Sequence, residues 1–165
     1  MNLKRILRHL ATTNAQVNRA FPPAALNAIE QAINSSEASH TGEVRFVVEG
    51  ALDGAPLFGG QTAKERALDL FSQLRMWDTE HNTGVLIYLL LADRAVEIVA
   101  DRGIYAKAGP HTWQAICHEM EAAFKAAKFE GGAVNGIQAV TRQLVDHFPA
   151  TAENANELSD KPLVI

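Results

Sequence analysis

The chain has 165 residues and a mass of 17.9 kDa, enough for one domain with a core that needs no covalent staples. It is 47% hydrophobic and 21% charged with a formal net charge of -4, which excludes general disorder and argues against sequence-independent nucleic-acid binding. Its single cysteine, Cys117, excludes an internal disulfide and a cysteine-built zinc cage.

The first 29 residues hold Lys4, Arg5, Arg8 and Arg19 and no acid, so the rest of the chain is more acidic than the average. Residues 1–21 read as one basic amphipathic helix, with Leu3, Ile6, Leu7 and Leu10 on one face. Two uses of that face stay open. The leucines can dock on the domain and leave the cations in solvent, or the segment can rest on an anionic membrane surface or partner. Polar residues interrupt the segment as a signal peptide, and no run of about 18 apolar residues occurs anywhere, so the expected location is cytoplasmic.

Pro22-Pro23 opens a helix over 24–36, with Leu26, Ile29 and Ile33 at helical spacing. Glu43–Glu49 (EVRFVVE) has the β-branched and aromatic content of a strand, and Gly50–Gly60 the chemistry of a loop. Thr62 and Glu65 form a capping box for a helix over 63–76. After a polar loop at 77–82, Gly84–Ala92 is apolar throughout, as a strand covered on both faces requires. Asp93-Arg94 turns the chain into an antiparallel strand, Ala95–Ala100. Two helices follow, one carrying Trp113, Ile116, Cys117, Met120 and Phe124 on a stripe, the other running from Gly131-Gly132 to Phe148. Trp77 and Trp113 are both expected in the core, and the tail from Ala150 to Ile165 reads as an extended strap or a mobile end. The order gives an α/β/α sandwich on a small mixed sheet, built from one right-handed β-α-β unit, a β-hairpin and two C-terminal helices.

This topology gathers carboxylates at one end of the sheet. Glu43 enters the first strand, Asp78, Glu80 and Asn82 precede the second, and Asp101 leaves the third, with His40, His81 and Arg102 nearby. Oxygen ligands on loops suit Ca²⁺ or Mg²⁺ rather than zinc or copper, and such an ion could polarise a phosphoryl oxygen. The plain alternative is that these acids are only solvated. No motif for an organic cofactor is present: neither glycine pair follows a strand in a phosphate-binding pattern, and no serine sits in a nucleophile elbow. The charges on the strand faces, Arg45, Glu49, Arg94 and Glu97, are expected to be ion-paired.

The run His40-Thr41-Gly42-Glu43-Val44-Arg45, then WDTEHNTGVLIY from Trp77 to Tyr88, then Asp93-Arg94-Ala95-Val96-Glu97-Ile98 and Asp101-Arg102-Gly103-Ile104, resembles the TPM domain family. The likeness extends from Pro22 to Phe148 and is greatest to bacterial members without leader or anchor. It implies a TPM domain over 22–149, between the basic helix at 1–21 and the polar tail at 150–165. It also implies calcium binding in some members and acid phosphatase activity in plant thylakoid relatives. This chain departs from the family pattern at Asp101, where a glycine is usual. The expected function is a cation- or partner-binding module with an unidentified protein partner or a peripheral membrane contact through residues 1–21. The alternative is a metal-assisted phosphomonoesterase using the acidic loops.

Overall fold

β-branched and aromatic residues hold β1 (Glu43–Glu49) and β2 (Gly84–Leu90) extended, and the two strands pair in parallel with Glu43 opposite Gly84 and Glu49 opposite Leu90. The tight turn after β2 returns the chain as β3 (Ala95–Ala100), antiparallel, with Val85 opposite Ala100. The computed structural model, which describes residues 2–150 and 157–165, completes a four-stranded sheet in the order β3-β2-β1-β4.

β4 is two residues long, Leu163–Val164, and pairs in parallel with Val47 and Val48 on the outer edge of β1. The segment expected as a strap thus covers a sheet edge that would otherwise expose unpaired amides. Ile165 continues the pairing by donating its N–H to the Val48 carbonyl at 2.9 Å. Part of the expected tail, 151–156, lies outside the described residues.

Alternation along the strands sends side chains into two cores. Val44, Phe46, Val48, Val85, Ile87 and Leu89 pack against helices α2 (Asn14–Ala20), α3 (Pro23–Glu37), α7 (Pro110–Lys125) and α8 (Phe129–His147). Val47, Leu86, Tyr88 and Leu90 pack on the other face with α1 (Leu3–Ala11), α4 (Gly54–Phe58) and α5 (Ala63–Gln73). The three-layer α/β/α sandwich with a mixed sheet is therefore the fold, and the β1-α5-β2 crossover is its parallel unit.

Local signals set most boundaries. Thr62 and Glu65 cap α5 reciprocally, with Glu65 N–H to Thr62 Oγ1 at 3.2 Å and Thr62 N–H to Glu65 Oε2 at 2.7 Å. Gly84 cannot be replaced freely, because a Cβ there would lie 2.0 Å from the Met76 carbonyl oxygen.

Four local expectations change. The stretch 50–60 is not all loop, since Gly54–Phe58 makes a helical turn that seats Leu57 in the second core. Arg102–Ala108 is a further short helix, α6, started by the Asp101 carboxylate on the Arg102 amide. The N-terminal segment is two helices, because Thr13 and Gln16 form a second capping box that restarts the chain after α1. Trp77 is 53% exposed, whereas Trp113 is buried, because Trp77 lies in the loop leaving α5 rather than on a helical stripe.

The docking of α1 separates the two uses that the leucine face left open. Leu3, Leu7 and Leu10 are 64%, 57% and 65% exposed, while Ile6 and His9 are buried. The cations are not all left in solvent. Arg5 meets Asp93 at 2.8 Å, and a polar hub, not the leucine face, decides how the helix sits.

Candidate functional site

The amino ends of β1 and β2 and the carboxyl end of β3 lie at one rim of the sheet, where the acidic loops were expected to meet. Asn82 and Asp101 do come together there. The Asp101 amide donates to the Gly84 carbonyl at 2.8 Å, and the Gly103 amide donates to the Asn82 carbonyl at 3.1 Å. Gly103 permits this closeness, since a Cβ there would stand 2.6 Å from that carbonyl oxygen. Asn82 takes a left-handed backbone with φ 54, and its Oδ1 accepts from Arg102 Nε at 3.2 Å. Asp101 Oδ1 accepts from the Arg102 amide at 2.7 Å. Its other oxygen, Oδ2, is buried without a hydrogen-bond partner among the described residues.

The remaining expected residues are placed otherwise. Asp78, Glu80 and His81 are exposed on the loop before β2, and Glu80 uses its amide, not its carboxylate, in a 3.4 Å contact with the Glu157 carboxylate. Glu43 is buried, and its oxygens accept the amides of Glu157 and Leu158, each at 3.1 Å. Burial raises the Glu43 pKa above the ordinary value, although those amides pull the other way. His40 is buried, its Nδ1 accepts the Gly42 amide at 3.2 Å, and burial lowers its pKa.

The donor set thus fits a hard cation in part. Asp101 and Asn82 both bond to Arg102, Asp101 at its amide and Asn82 at its guanidinium, and Glu43 already serves the C-terminal segment. Among the described residues, no three or more His, Cys, Asp or Glu side chains are placed to hold a metal ion.

The opposite end of the sheet, at the carboxyl ends of β1 and β2, is basic. The N-terminal helices cross it. Asp93, in the turn after β2, accepts from Arg5 Nε at 2.9 Å, from Arg8 Nη2 at 3.2 Å and from His9 Nε2 at 3.0 Å. His9 Nδ1 accepts the Leu52 amide at 2.9 Å, which puts the ring proton on Nε2, facing Asp93. Burial pushes the Asp93 pKa up, but the hydrogen bonds from Arg5 and His9 and the charge of Arg5 outweigh it and hold the carboxyl below its usual range. Beside this hub opens a cavity of about 630 Å³ that Arg8, Arg19, Arg94 and Lys125 line. Sequence reasoning found the N-terminal cations but not this cleft. Arg94 and Lys125 join them only through the fold, so spacing along the chain carries no signal of the cluster.

The strand-face charges are resolved unevenly. Arg66 pairs with Glu49 at 2.9 Å, and the Tyr88 hydroxyl donates to the same carboxylate at 2.7 Å. Arg45 instead donates to the Ser159 carbonyl, Arg94 is exposed, and Glu97 is half-buried with its pKa raised chiefly by burial.

The comparisons with known proteins agree on the fold. A family model described as the TPM domain matches residues 16–143. Among solved structures, the BA42 protein of the psychrophilic bacterium Bizionia argentinensis is 27% identical with a TM-score of 0.75, over 86% of this chain and 93% of its own. The N-terminal domain of a P. gingivalis protein is 18% identical with a TM-score of 0.62, over 85% of this chain and 94% of its own, a likeness of fold alone. No curated protein matches the chain. With residues 16–143, most of its length, under the family model, the chain belongs to the TPM domain family.

Proposed function

We propose that this chain is a binding module that rests on an anionic membrane surface through α1. The observation that carries the reading is the outward stripe of Leu3, Leu7 and Leu10, each more than half exposed on a helix whose other side is locked to the domain by Arg5, Ile6 and His9. Three leucines on one exposed face cost solvation unless something apolar covers them. Lys4 and Arg8, exposed on the same helix, select what covers them. A second copy of the chain would bring like charges together, whereas an anionic bilayer takes the leucines into its interface and the cations onto its headgroups. The cytoplasmic leaflet, rich in acidic lipids, is the surface that fits. No helix among the described residues is long and apolar enough to cross a membrane, so contact would be peripheral.

Co-sedimentation with vesicles tests this. Binding to vesicles with acidic lipid, weak binding to neutral ones and a fall with salt are expected. Leu7→Glu should weaken binding about tenfold or more, since burying one leucine contributes about 1.5–3 kcal/mol. Equal recovery with neutral vesicles, or no effect of Leu7→Glu, overturns the reading. If neither kind of vesicle recovers the chain, a protein partner for the same face is what remains.

A second reading is favoured by the unpartnered Oδ2 of Asp101: a Ca²⁺ or Mg²⁺ ion held weakly by Asp101, Asn82 and the exposed carboxylates of Asp78 and Glu80. Bound there, the ion would supply charge able to polarise a phosphoryl oxygen. Calorimetry with millimolar Ca²⁺ should then give heat that Asp101→Asn abolishes. Hydrolysis of p-nitrophenyl phosphate lost in the same variant would extend the reading to a phosphatase, and the absence of heat would end both.

A further inference from the structure

The cleft beside Asp93 has a composition that the exposed leucines do not explain. Arg8 and Arg19 come from α1 and α2, Arg94 from the β2–β3 turn and Lys125 from the end of α7, and among the described residues no carboxylate lines the cavity with them. Arg8 has a partner in Asp93 at 3.2 Å, but among the described residues Arg19, Arg94 and Lys125 have no ion pair. Cations gathered around one concave space repel each other, and an anion from outside is what relieves them. The other side of the same cavity is apolar. Leu89 and Leu91 come from β2 and its end, and Phe124 and Phe129 form a stacked pair with ring centres 5.6 Å apart. Phe21 meets Phe129 edge-on at 5.5 Å, so the aromatic wall is held by packing rather than free to collapse into the space.

Size and place point the same way. About 630 Å³ falls within the range of small-molecule sites and is far more than a bare phosphate fills. The cleft lies at the carboxyl ends of the parallel strands β1 and β2, the end at which open α/β sheets hold their ligands.

We propose that this cleft binds a phosphate-bearing amphiphile, with the phosphate among Arg19, Arg94 and Lys125 and the apolar body against Leu91, Phe124 and Phe129. Arginine recognises phosphate through paired N–H donors, and lysine adds a point charge. The ligand could be a lipid still in a bilayer or a soluble monomer of the same chemistry. The inference shares Arg8 and one face of the molecule with the membrane reading but does not depend on Leu3, Leu7 or Leu10.

The test uses the full chain and dihexanoyl phosphatidate below its micelle concentration, with inorganic phosphate and dihexanoyl phosphatidylcholine as comparisons, followed by calorimetry. Wild type should bind the phosphatidate at least tenfold more tightly than either comparison. Arg94→Asn with Lys125→Gln should lose at least tenfold, since both positions are exposed and asparagine tolerates the φ of 54 at residue 94. Leu7→Glu should leave this monomer binding unchanged. Equal affinity for inorganic phosphate overturns the apolar half of the proposal, and binding that survives the double variant overturns its placement. Vesicle binding without monomer binding defeats the cleft and spares the membrane reading. Monomer binding without vesicle binding does the reverse.

Discussion

Glu37 ends α3 with only 8% of its surface exposed, and it hydrogen-bonds Asp160 across to the C-terminal segment. Burial, and then the nearby charges of Glu43 and Asp160, push its pKa from 4.5 to about 8. The contact holds because Glu37 keeps a proton to share. A folded pKa above the unfolded one means that its stabilisation is complete below about pH 4.5 and is lost as pH rises through about 8. Glu37→Gln keeps a donor at every pH. Urea unfolding should therefore find the variant close to wild type at pH 5 and more stable at pH 9 by more than about 1.4 kcal/mol, the equivalent of one pKa unit. A variant that tracks wild type at both values would mean that Glu37 is already ionised at neutral pH. Its neighbour Glu43 shows why the acidic rim was only half legible in the sequence. Asp101 and Asn82 meet because they bound neighbouring strands, which the strand order reveals. Glu43 sits at the same strand end, yet two amides from the distant C-terminal segment claim its carboxylate, and nothing in EVRFVVE announces that.

At the scale of elements, the strands and long helices were readable because their apolar periodicity is continuous. β1 and β3 have the limits their residues imply, and α7 carries Trp113, Ile116, Met120 and Phe124 inward as spaced. The short pieces were not readable. α6 depends on one cap, and β4 on an edge that exists only once β1 is in the sheet. α1 is the instructive case. Its leucines offered a face either for docking or for an outside surface, and the hub at Asp93 holds Arg5, Arg8 and His9 and turns that face outward. Arg5 is 16% exposed and Asp93 is 13% exposed, so removing one partner strands a largely buried charge. Asp93→Ala should release α1, seen as hydrogen exchange of the Arg5 to Leu10 amides faster by at least tenfold, while exchange in β2 changes much less. Acid should act in the same direction. The Asp93 pKa is lowered by folding, so its contribution is present above the unfolded value of 3.8 and is lost as pH falls below that. Exchange in α1 that is insensitive to Asp93→Ala would show that Ile6 alone holds the helix.

At the scale of the whole molecule, the described residues form one sheet with two cores and two chemically opposite ends. The strands are seven residues long in β1 and β2, so the acidic rim and the basic cleft stand about 20 Å apart with the packed sheet between them. That separation would let the proposed cation at one end and the proposed anionic surface at the other be engaged without competing. It also requires the two faces of the sheet to stay together, and adjacent residues of β2 report on this. Leu86 is fully buried on the α5 side and Ile87 is fully buried on the α7 and α8 side. Leu86→Ala and Ile87→Ala should each cost about 2–5 kcal/mol and lower Tm by roughly 5–15 °C, because each opens a cavity in a different core. If the sheet makes the two cores one cooperative unit, Leu86→Ala must shift a probe on the other side as well. Trp113 is that probe, since it is buried in the first core while Trp77 lies at the surface. Far-UV circular dichroism and tryptophan fluorescence should then give coincident single transitions in both variants. A fluorescence transition that stays at its wild-type temperature in Leu86→Ala, while the circular dichroism moves, would mean that α1, α4 and α5 unfold apart from the rest and that the two ends act independently.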